Sequence, residues 1–553
     1  MFATRGPPRG YMDGLICGRT DRTREFRFFI VWKEVLTEKD AWSETEAVAH
    51  RLSTRSETKA IVLLDQMQRN NMKRFNDLPA PPSLPFLGNA HQLDKKGLHL
   101  TLEKWAREYR QEPFRFQLGP LKFIVLSRPE DVRCVLKERP TQFRRMREMS
   151  KIFDEVGFSS VFTKEGEAWR RQRRMMQPAF TKHTLVPFVP QIARKALQLR
   201  DRLQKSNGEP LEIRHDFRRF TVDVGCLLVF GVDLNNLADD DNHVLHTFHN
   251  VVHTMNKRLR SLVPYWRLVK MPVDRRFDGS IQELRDMVTG IAHDVRARMK
   301  RGEDLGEHCI LHTMLAASEG DDATLTDDEL FANMMILVLG SEGSTAAMLS
   351  WICFYLSQDE VLQQRLREEL CDFDLETVDY DAIESLPLTE AVIEETFRIR
   401  STVPALVLEA LEDTEVGELH VDRGTRVFAL TRVNGIMDTA RDMVFDPRRW
   451  LNEDGSLASL KDARQTQFPF GYGPRVCPGA PLSNIELKLA IAMLVKHFKL
   501  EIVDGEAVEE VFMASAVPDN FRVKAIPLPK RPRESGSLVF GREEEREDAR
   551  SPA

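Results

Sequence analysis

The chain is poor in the features that usually classify a protein at sight. Its seven cysteines are scattered and odd in number, with no C-x-x-C pair and no zinc spacing. Neither a disulfide framework nor a structural metal is indicated, and a reducing compartment is the expectation. A net charge of -6 across 553 residues leaves no electrostatic footprint for nucleic acid. The pair Gly471-x-Gly473 lacks the third glycine of a phosphate-cradling loop. Long apolar runs are scarce as well. The best of them, Phe331 to Leu356, is interrupted by Gly340-Ser341-Glu342-Gly343-Ser344-Thr345. It reads as a buried core helix, so no transmembrane anchor is expected. The first 34 residues hold seven Lys/Arg against four Asp/Glu and no apolar core. That excludes an ordinary secretory signal and leaves either an organelle transit peptide or a disordered extension.

What is present falls into three parts. Residues 1–77 form a polar extension that is poorly ordered or serves targeting, and residues 528–553 a charged, disordered tail. Between them, Leu78-Pro79-Ala80-Pro81-Pro82 is too rich in proline for a helix or a central strand, and it enters the domain as a rigid segment. Alternating Phe114, Phe116 and Leu118, then Gly119-Pro120 and Lys122 to Leu126, predict a β-hairpin. The chain then reads as mostly helical to about residue 400. Strand character returns at Thr425 to Leu430 and Phe521 to Ile526.

The most specific line is Phe470-Gly471-Tyr472-Gly473-Pro474-Arg475-Val476-Cys477-Pro478-Gly479. Glycines let the backbone take conformations that a side chain forbids. Arg475 offers a permanent charge to a carboxylate. Leu482, Ile485, Leu489 and Leu494 keep a helical spacing, which puts Cys477 at a helix N-terminus where N–H groups favour a thiolate. A lone cysteine presented in this way fits the axial ligand of a haem iron.

Three further motifs accompany it. Trp169 and Arg173 stand four apart on one face of a basic helix. An indole N–H beside a guanidinium suits a haem propionate. Glu395 and Arg398 form E-x-x-R, close enough to pair on a helix. Arg449, in Phe445-Asp446-Pro447-Arg448-Arg449-Trp450, is available as a third member of an ion network. Buried, such a network specifies a conformation more than it stabilises one.

With these motifs in this order, residues 78–527 resemble the cytochrome P450 family of haem-thiolate monooxygenases. The resemblance implies a mainly α fold with small β-sheets, built as a single large catalytic domain. It implies haem b (iron protoporphyrin IX) with an axial thiolate from Cys477, and propionates held by Trp169, Arg173 and Arg475. Phe470, Gly473 and Gly479 would shape the loop beside the sulfur, and Glu395, Arg398 and Arg449 would support that loop. The implied reaction inserts one atom of O2 into an apolar molecule such as a lipid, terpenoid, sterol or aromatic. Family position puts the pocket at Met149 to Phe162, Met335 to Ser344, Thr402 to Leu408 and near Val517. With no reductase motif in the chain, electrons are expected from a separate ferredoxin or flavoprotein on the cysteine side.

Two positions depart from the family pattern. The distal helix usually carries an acid followed by threonine, as a proton relay. Here Glu342 is the acid, Gly343 takes the threonine position, and Ser344 can supply a hydroxyl only if the register shifts locally. Two mid-helix glycines cost about 1 kcal/mol each relative to alanine, and a local opening or kink is the expectation. Leu408 stands where many relatives carry a basic residue, so one propionate contact is expected to be missing. The altered relay keeps open a haem-thiolate isomerase, dehydratase or peroxygenase that needs no external electrons, and a haem-binding protein without turnover.

Overall fold

The computed structural model of the chain describes residues 72–529, apart from 95–96, 240–242, 262, 304–308, 319–324 and 504. The expected extension up to residue 71 and the tail from residue 530 lie outside the described residues. Residues 72–77, read as part of the extension, pack on the domain. Lys73 forms a β-bridge with Leu419, and Phe75 is buried.

One helix, Asp327–Leu356, organises the rest. It starts at a reciprocal cap. The Thr326 hydroxyl accepts from the Glu329 N–H at 3.2 Å, and the Glu329 carboxylate accepts from the Thr326 N–H at 3.2 Å. Asp327 and Asp328 in the first turn complement the helix dipole. Because the helix is largely apolar, most of its surface must be covered. Helices Ile213–Phe230, Pro272–Lys300, Pro387–Arg400 and Ala480–His497 and the strand Ala516–Asp519 cover it. Among the described residues it alone is long and apolar enough to cross a membrane, and most of it is buried inside the domain. The helix runs unbroken through Gly340 to Thr345, so the expected opening does not occur. At Gly225 the neighbouring helix comes so near that a Cβ would stand 2.5 Å from Ser341 Oγ.

A five-stranded sheet flanks the helices, in the order Phe114–Leu118, Leu121–Leu126, Arg426–Leu430, Ala405–Ala410, Phe143–Arg145. The expected hairpin is present, with Phe116 opposite Phe123 and their rings stacked at 4.9 Å. Strands Phe143–Arg145 and Ala405–Ala410 run antiparallel, with Phe143 opposite Ala410 and Arg145 opposite Leu408. The expected last strand is found at Arg522–Pro527, paired with Phe498–Val503. A third feature, absent from any motif, ties sheet to helices. Buried Arg432 binds Glu103 through two nitrogens, at 2.9 and 3.0 Å, and Glu510 at 2.9 Å. Glu510 also meets His99 Nε2 at 2.6 Å and Arg400 Nη1 at 2.6 Å.

Burial alone would raise the Glu510 carboxyl, but Arg432, His99 and Arg400 outweigh it and hold the group well below the usual carboxylate range. A depressed carboxylate contributes stability above its unfolded pKa of about 4.3 and loses it as the pH falls further. Glu510→Gln is therefore expected to lower the unfolding free energy by about 3–5 kcal/mol at pH 7. The wild-type advantage should narrow below about pH 4.3. Denaturant titration at both pH values checks this, and equal midpoints at pH 7 would contradict it.

Candidate functional site

The cysteine loop leaves the sheet at Phe468, whose N–H donates to Thr431 O at 3.2 Å, and turns back on itself. Gly471 N–H donates to Phe468 O at 2.9 Å, and Cys477 N–H to Phe470 O at 2.9 Å. Gly473 has φ +71°, and a Cβ there would stand 2.8 Å from Leu136 O and 2.9 Å from Lys137 Cα. Only glycine fits, because the loop presses on helix Pro129–Lys137. The helix after the loop is Ala480–His497 with Gly479 as its N-cap, so Cys477 lies just ahead of it, as the sequence suggests. Cys477 is exposed, and its sulfur lies near the N–H groups of Gly479 and Ala480 and the charge of Arg173. These favour the thiolate, yet desolvation by the protein packed around the sulfur outweighs them and the net shift of the thiol is upward. The N-terminal position alone does not ionise this cysteine. Phe470 packs edge-on against Phe397 at 5.0 Å.

Around the sulfur stands an excess of positive charge. Arg475 donates to Val161 O at 3.1 Å and Lys164 O at 2.5 Å, pairs with Glu165, and lies 4.4 Å over the Trp169 ring. Most of its donors are thus engaged by protein, and only Nε lacks a partner. Arg139 is buried with Nε and Nη2 unpartnered. Arg145 lies 3.5 Å over the Phe162 ring and donates from Nε to Phe162 O at 2.7 Å. Burial, followed by repulsion from Arg139 and Arg475, holds the Arg145 guanidinium well below its ordinary value. Burial likewise pushes Arg139 and Arg475 down to about 10. Glu165 is the carboxylate that acts on all three of these arginines. Arg173, desolvated in turn, feels only Cys477 as a counter-charge.

The ion network lies behind the loop. Arg398 grips Glu395 with Nε and Nη2, both at 2.7 Å. Arg449 Nε is 3.5 Å from the same carboxylate, so the three expected residues do converge. Two donors complete the set: Asp446 N–H at 2.9 Å and Trp450 Nε1 at 2.9 Å. Arg398 also donates to Gly435 O at 2.5 Å, which ties the helix to the end of the sheet.

On the long helix the three residues read as a relay do not share a face. At 3.6 residues per turn, Ile336, Gly340 and Gly343 form one stripe, which is open, while Val338, Glu342 and Thr345 form another, which is buried. Ser344 flanks the open stripe, its Oγ donating to Gly340 O at 2.9 Å. Glu342 is paired with Arg218, whose Nε lies 2.6 Å from Oε1 and whose Nη2 also contacts His249 Nδ1 at 2.9 Å. Parts of the expected pocket segments pack on or beside this helix, on either side of the open stripe. Val161 N–H donates to Asn333 Oδ1 at 2.9 Å, Ala516 N–H to Thr402 O at 2.9 Å, and Trp351 Nε1 to Ala516 O at 3.0 Å.

A cytochrome P450 family model matches residues 78–524. The chain belongs to the cytochrome P450 family.

Among curated relatives of this P450, the chloroplastic protein LUTEIN DEFICIENT 5 of Arabidopsis thaliana is 26% identical over 417 residues, covering 71% of this chain and 68% of the relative. The mitochondrial 1,25-dihydroxyvitamin D(3) 24-hydroxylase of Mus musculus is 22% identical over 515 residues, or 87% of this chain and 94% of the relative. The haem domain of cytochrome P450DA, a crystal structure, superposes with a TM-score of 0.71 at 21% identity, over 84% of this chain and 99% of that one. The fold is the P450 fold, mainly helical with small sheets. The protein is a haem-thiolate monooxygenase, an oxidoreductase that uses O2, a redox partner and an organic substrate.

The residues present fit that cofactor. Haem carries two carboxylates, and the arginines beside Cys477 have more donors than protein acceptors. A thiol whose pKa is raised becomes a thiolate when a metal binds it. Arg139, Arg145, Glu165, Arg218 and Trp450 went unread in the sequence. Trp450 adjoins Arg449 in its run, whereas Arg139, Arg145, Glu165 and Arg218 stand in no spaced motif and reach the site only through the packing of loop, strand and helix. Glu486, nine residues after Cys477, was also missed. It is fully buried, neither oxygen has a well-formed partner, and burial pushes its pKa up to about 8, the Thr345 hydroxyl opposing this only in part. Thr345 Oγ1 lies 3.2 Å from Ser483 Oγ, so the distal and cysteine helices meet here.

An acid whose folded pKa is raised binds its proton more tightly in the native state. Its contribution to stability therefore declines as pH rises from about 4.3 toward 8. Glu486→Gln cannot ionise. The holoprotein variant should gain on wild type between pH 5.5 and pH 8.5 in thermal unfolding, by several degrees. A pH-independent difference would show that Glu486 is ionised throughout.

Proposed function

We propose that Cys477 is the axial ligand and that the P450 oxidises an apolar small molecule with electrons from a separate donor. The observation that carries this reading is the exposed Cys477 sulfur just ahead of helix Ala480–His497, near the Gly479 and Ala480 N–H groups and beside arginines in excess of carboxylates. Bound haem supplies the activation of O2 and the transfer of one oxygen atom to substrate. Trp169 and Arg173 hold a propionate: neither side chain makes a hydrogen bond to another described residue, and both face the cysteine side. Arg475 contributes Nε and otherwise fixes the loop to Val161 and Lys164. Phe470, Gly473 and Gly479 shape the backbone at the sulfur, and Glu395, Arg398 and Arg449 hold the segment behind it. Residues 78–527 constitute the catalytic domain.

The half-buried Ile336, Leu337 and Leu339 beside Gly340, with Val161 and Phe162, favour an apolar substrate. On the cysteine side, helix Gly166–Met176 presents exposed Arg170 and Arg174, each met only loosely by Glu167 at 3.3 and 3.5 Å. An acidic ferredoxin or flavin protein suits that face. For proton supply, Glu342 must first part from Arg218, and the bare stripe at Gly343 leaves room for water beside Ser344.

The test of the ligand is the reduced, CO-bound spectrum. Wild type should give the Soret band of thiolate-ligated haem, and Cys477→Ser should lose it. A wild-type band at the position of histidine-ligated haem would sink the assignment. The relay has its own test in Gly343→Thr. A Cβ there meets Ser515 Oγ at 3.8 Å, an ordinary contact, so the site accepts the change. Product formed per reducing equivalent should rise about two-fold or more if Gly343 leaves proton delivery incomplete, a small difference in barrier. An unchanged or lower ratio would show that water or Ser344 already suffices.

A further inference from the structure

Away from the cysteine loop, a cleft of about 600 Å³ opens between four helices. Helices Val189–Gln204, Ile213–Phe230, Pro272–Lys300 and Ile310–Ser318 contribute to its walls. No residue of the cysteine loop, nor Ile336, Gly340 or Gly343 of the open stripe, lines it, so it is separate from the site already described. Its size is that of a small-molecule site, which spans about 300–1,000 Å³. Phe188, Leu227, Phe230, Ile291 and Val295 give it apolar walls.

Two features mark it as more than a gap in packing. Gln191 lines the cleft at 8% exposure, and its amide makes no hydrogen bond to another described residue. A buried amide in that state costs free energy until something supplies a partner. Gly290 lines the opposite wall, in mid-helix, and a Cβ there would meet nothing within 4 Å. Packing therefore does not require this glycine, which weakens the helix relative to alanine. Its effect is to leave the wall bare. Asp294 and Arg298 stand one turn apart on the same helix with opposite charges, and Arg298 already meets Glu303 at 3.3 Å.

We propose that this cleft binds an uncharged amphiphile, an apolar chain or ring body with one hydroxyl or carbonyl head. The body lies against Phe188, Phe230 and Ile291, and the head pairs with the Gln191 amide, which both donates and accepts. A charged head would find no unmatched counter-charge there, and a buried charge without one is costly.

Photolabelling of the haem-loaded protein tests this, with the distal pocket closed by an iron-ligating azole. The probes are decanol and decane, each carrying a mid-chain diazirine, and labelled peptides are mapped by mass spectrometry. The alcohol should mark helices Val189–Gln204 and Pro272–Lys300 about three-fold or more above the hydrocarbon, the worth of one neutral hydrogen bond. Gln191→Leu should erase that preference and keep labelling by the hydrocarbon. Gly290→Phe should cut labelling by both probes about ten-fold, because the ring takes the space. An unchanged reduced, CO-bound spectrum shows that each variant is folded. Should Gly290→Phe fail to fold, the alcohol preference and its loss in Gln191→Leu decide alone. Labelling spread over the surface, or indifferent to a folded Gly290→Phe, overturns the proposal. So does equal labelling by the two probes in wild type, or a preference that survives Gln191→Leu. A protein that bound no haem would overturn the proposed function, and the same labelling without azole would still decide this one.

Discussion

One sulfur, that of Cys477, must be kept charged, and the centre of the molecule depends on that constraint. The N–H groups of Gly479 and Ala480 and the charge of Arg173 pull toward the thiolate, while desolvation pulls harder toward the thiol. Coordination by a bound iron would reverse the outcome, because a coordinated thiol loses its proton outright. The loop must therefore be in position before the metal arrives. Gly473 pressed on Leu136, and Arg475 fastened to Val161, Lys164 and Glu165, fix it from two sides.

The third support comes from a distance. Glu395 accepts from Arg398, the Asp446 backbone and Trp450, so its charge is fully used although it is wholly buried. Such a cluster adds little stability against an apolar equivalent, but it admits one arrangement of its members. Phe397, on the same helix between Glu395 and Arg398, touches Phe470, whose carbonyl accepts from Cys477 N–H. The ion network therefore acts on the sulfur through one aromatic contact and one backbone hydrogen bond. Electrostatic balance is handled separately, by arginines that come from a strand, a loop and a helix.

That division explains what could be read from the residues alone. The cysteine line, the Glu395 and Arg398 pair and the hairpin at Phe114 are local in sequence, since their spacing already contains their geometry. Arg449 joined them as expected because it too lies in a short, recognisable run. Arg145, Arg139 and Glu165 belong to the site only through strand pairing and loop packing, which no spacing encodes. Trp450 escaped notice although it adjoins Arg449, since an indole as donor to a buried carboxylate has no signature of its own. On the distal helix adjacency works in the opposite sense: Glu342, Gly343 and Ser344 are neighbours in sequence, and a helix sends adjacent residues about 100° apart.

The distal geometry has a consequence for proton supply. With Glu342 on the buried stripe and Gly343 on the open one, the acid and the bare position cannot act as a contiguous pair. Arg218 sits between Glu342 and His249, donating to both, and His249 is driven down to about 4 by burial first and then by Arg218. At neutral pH the histidine is therefore an uncharged acceptor that holds Arg218 in place. Release of Glu342 toward the cleft requires breaking its ion pair with Arg218, while the arginine keeps its other partner. A carboxylate whose cation remains anchored by a neutral acceptor can leave and return without stranding that cation, which would suit the relay proposed for Glu342.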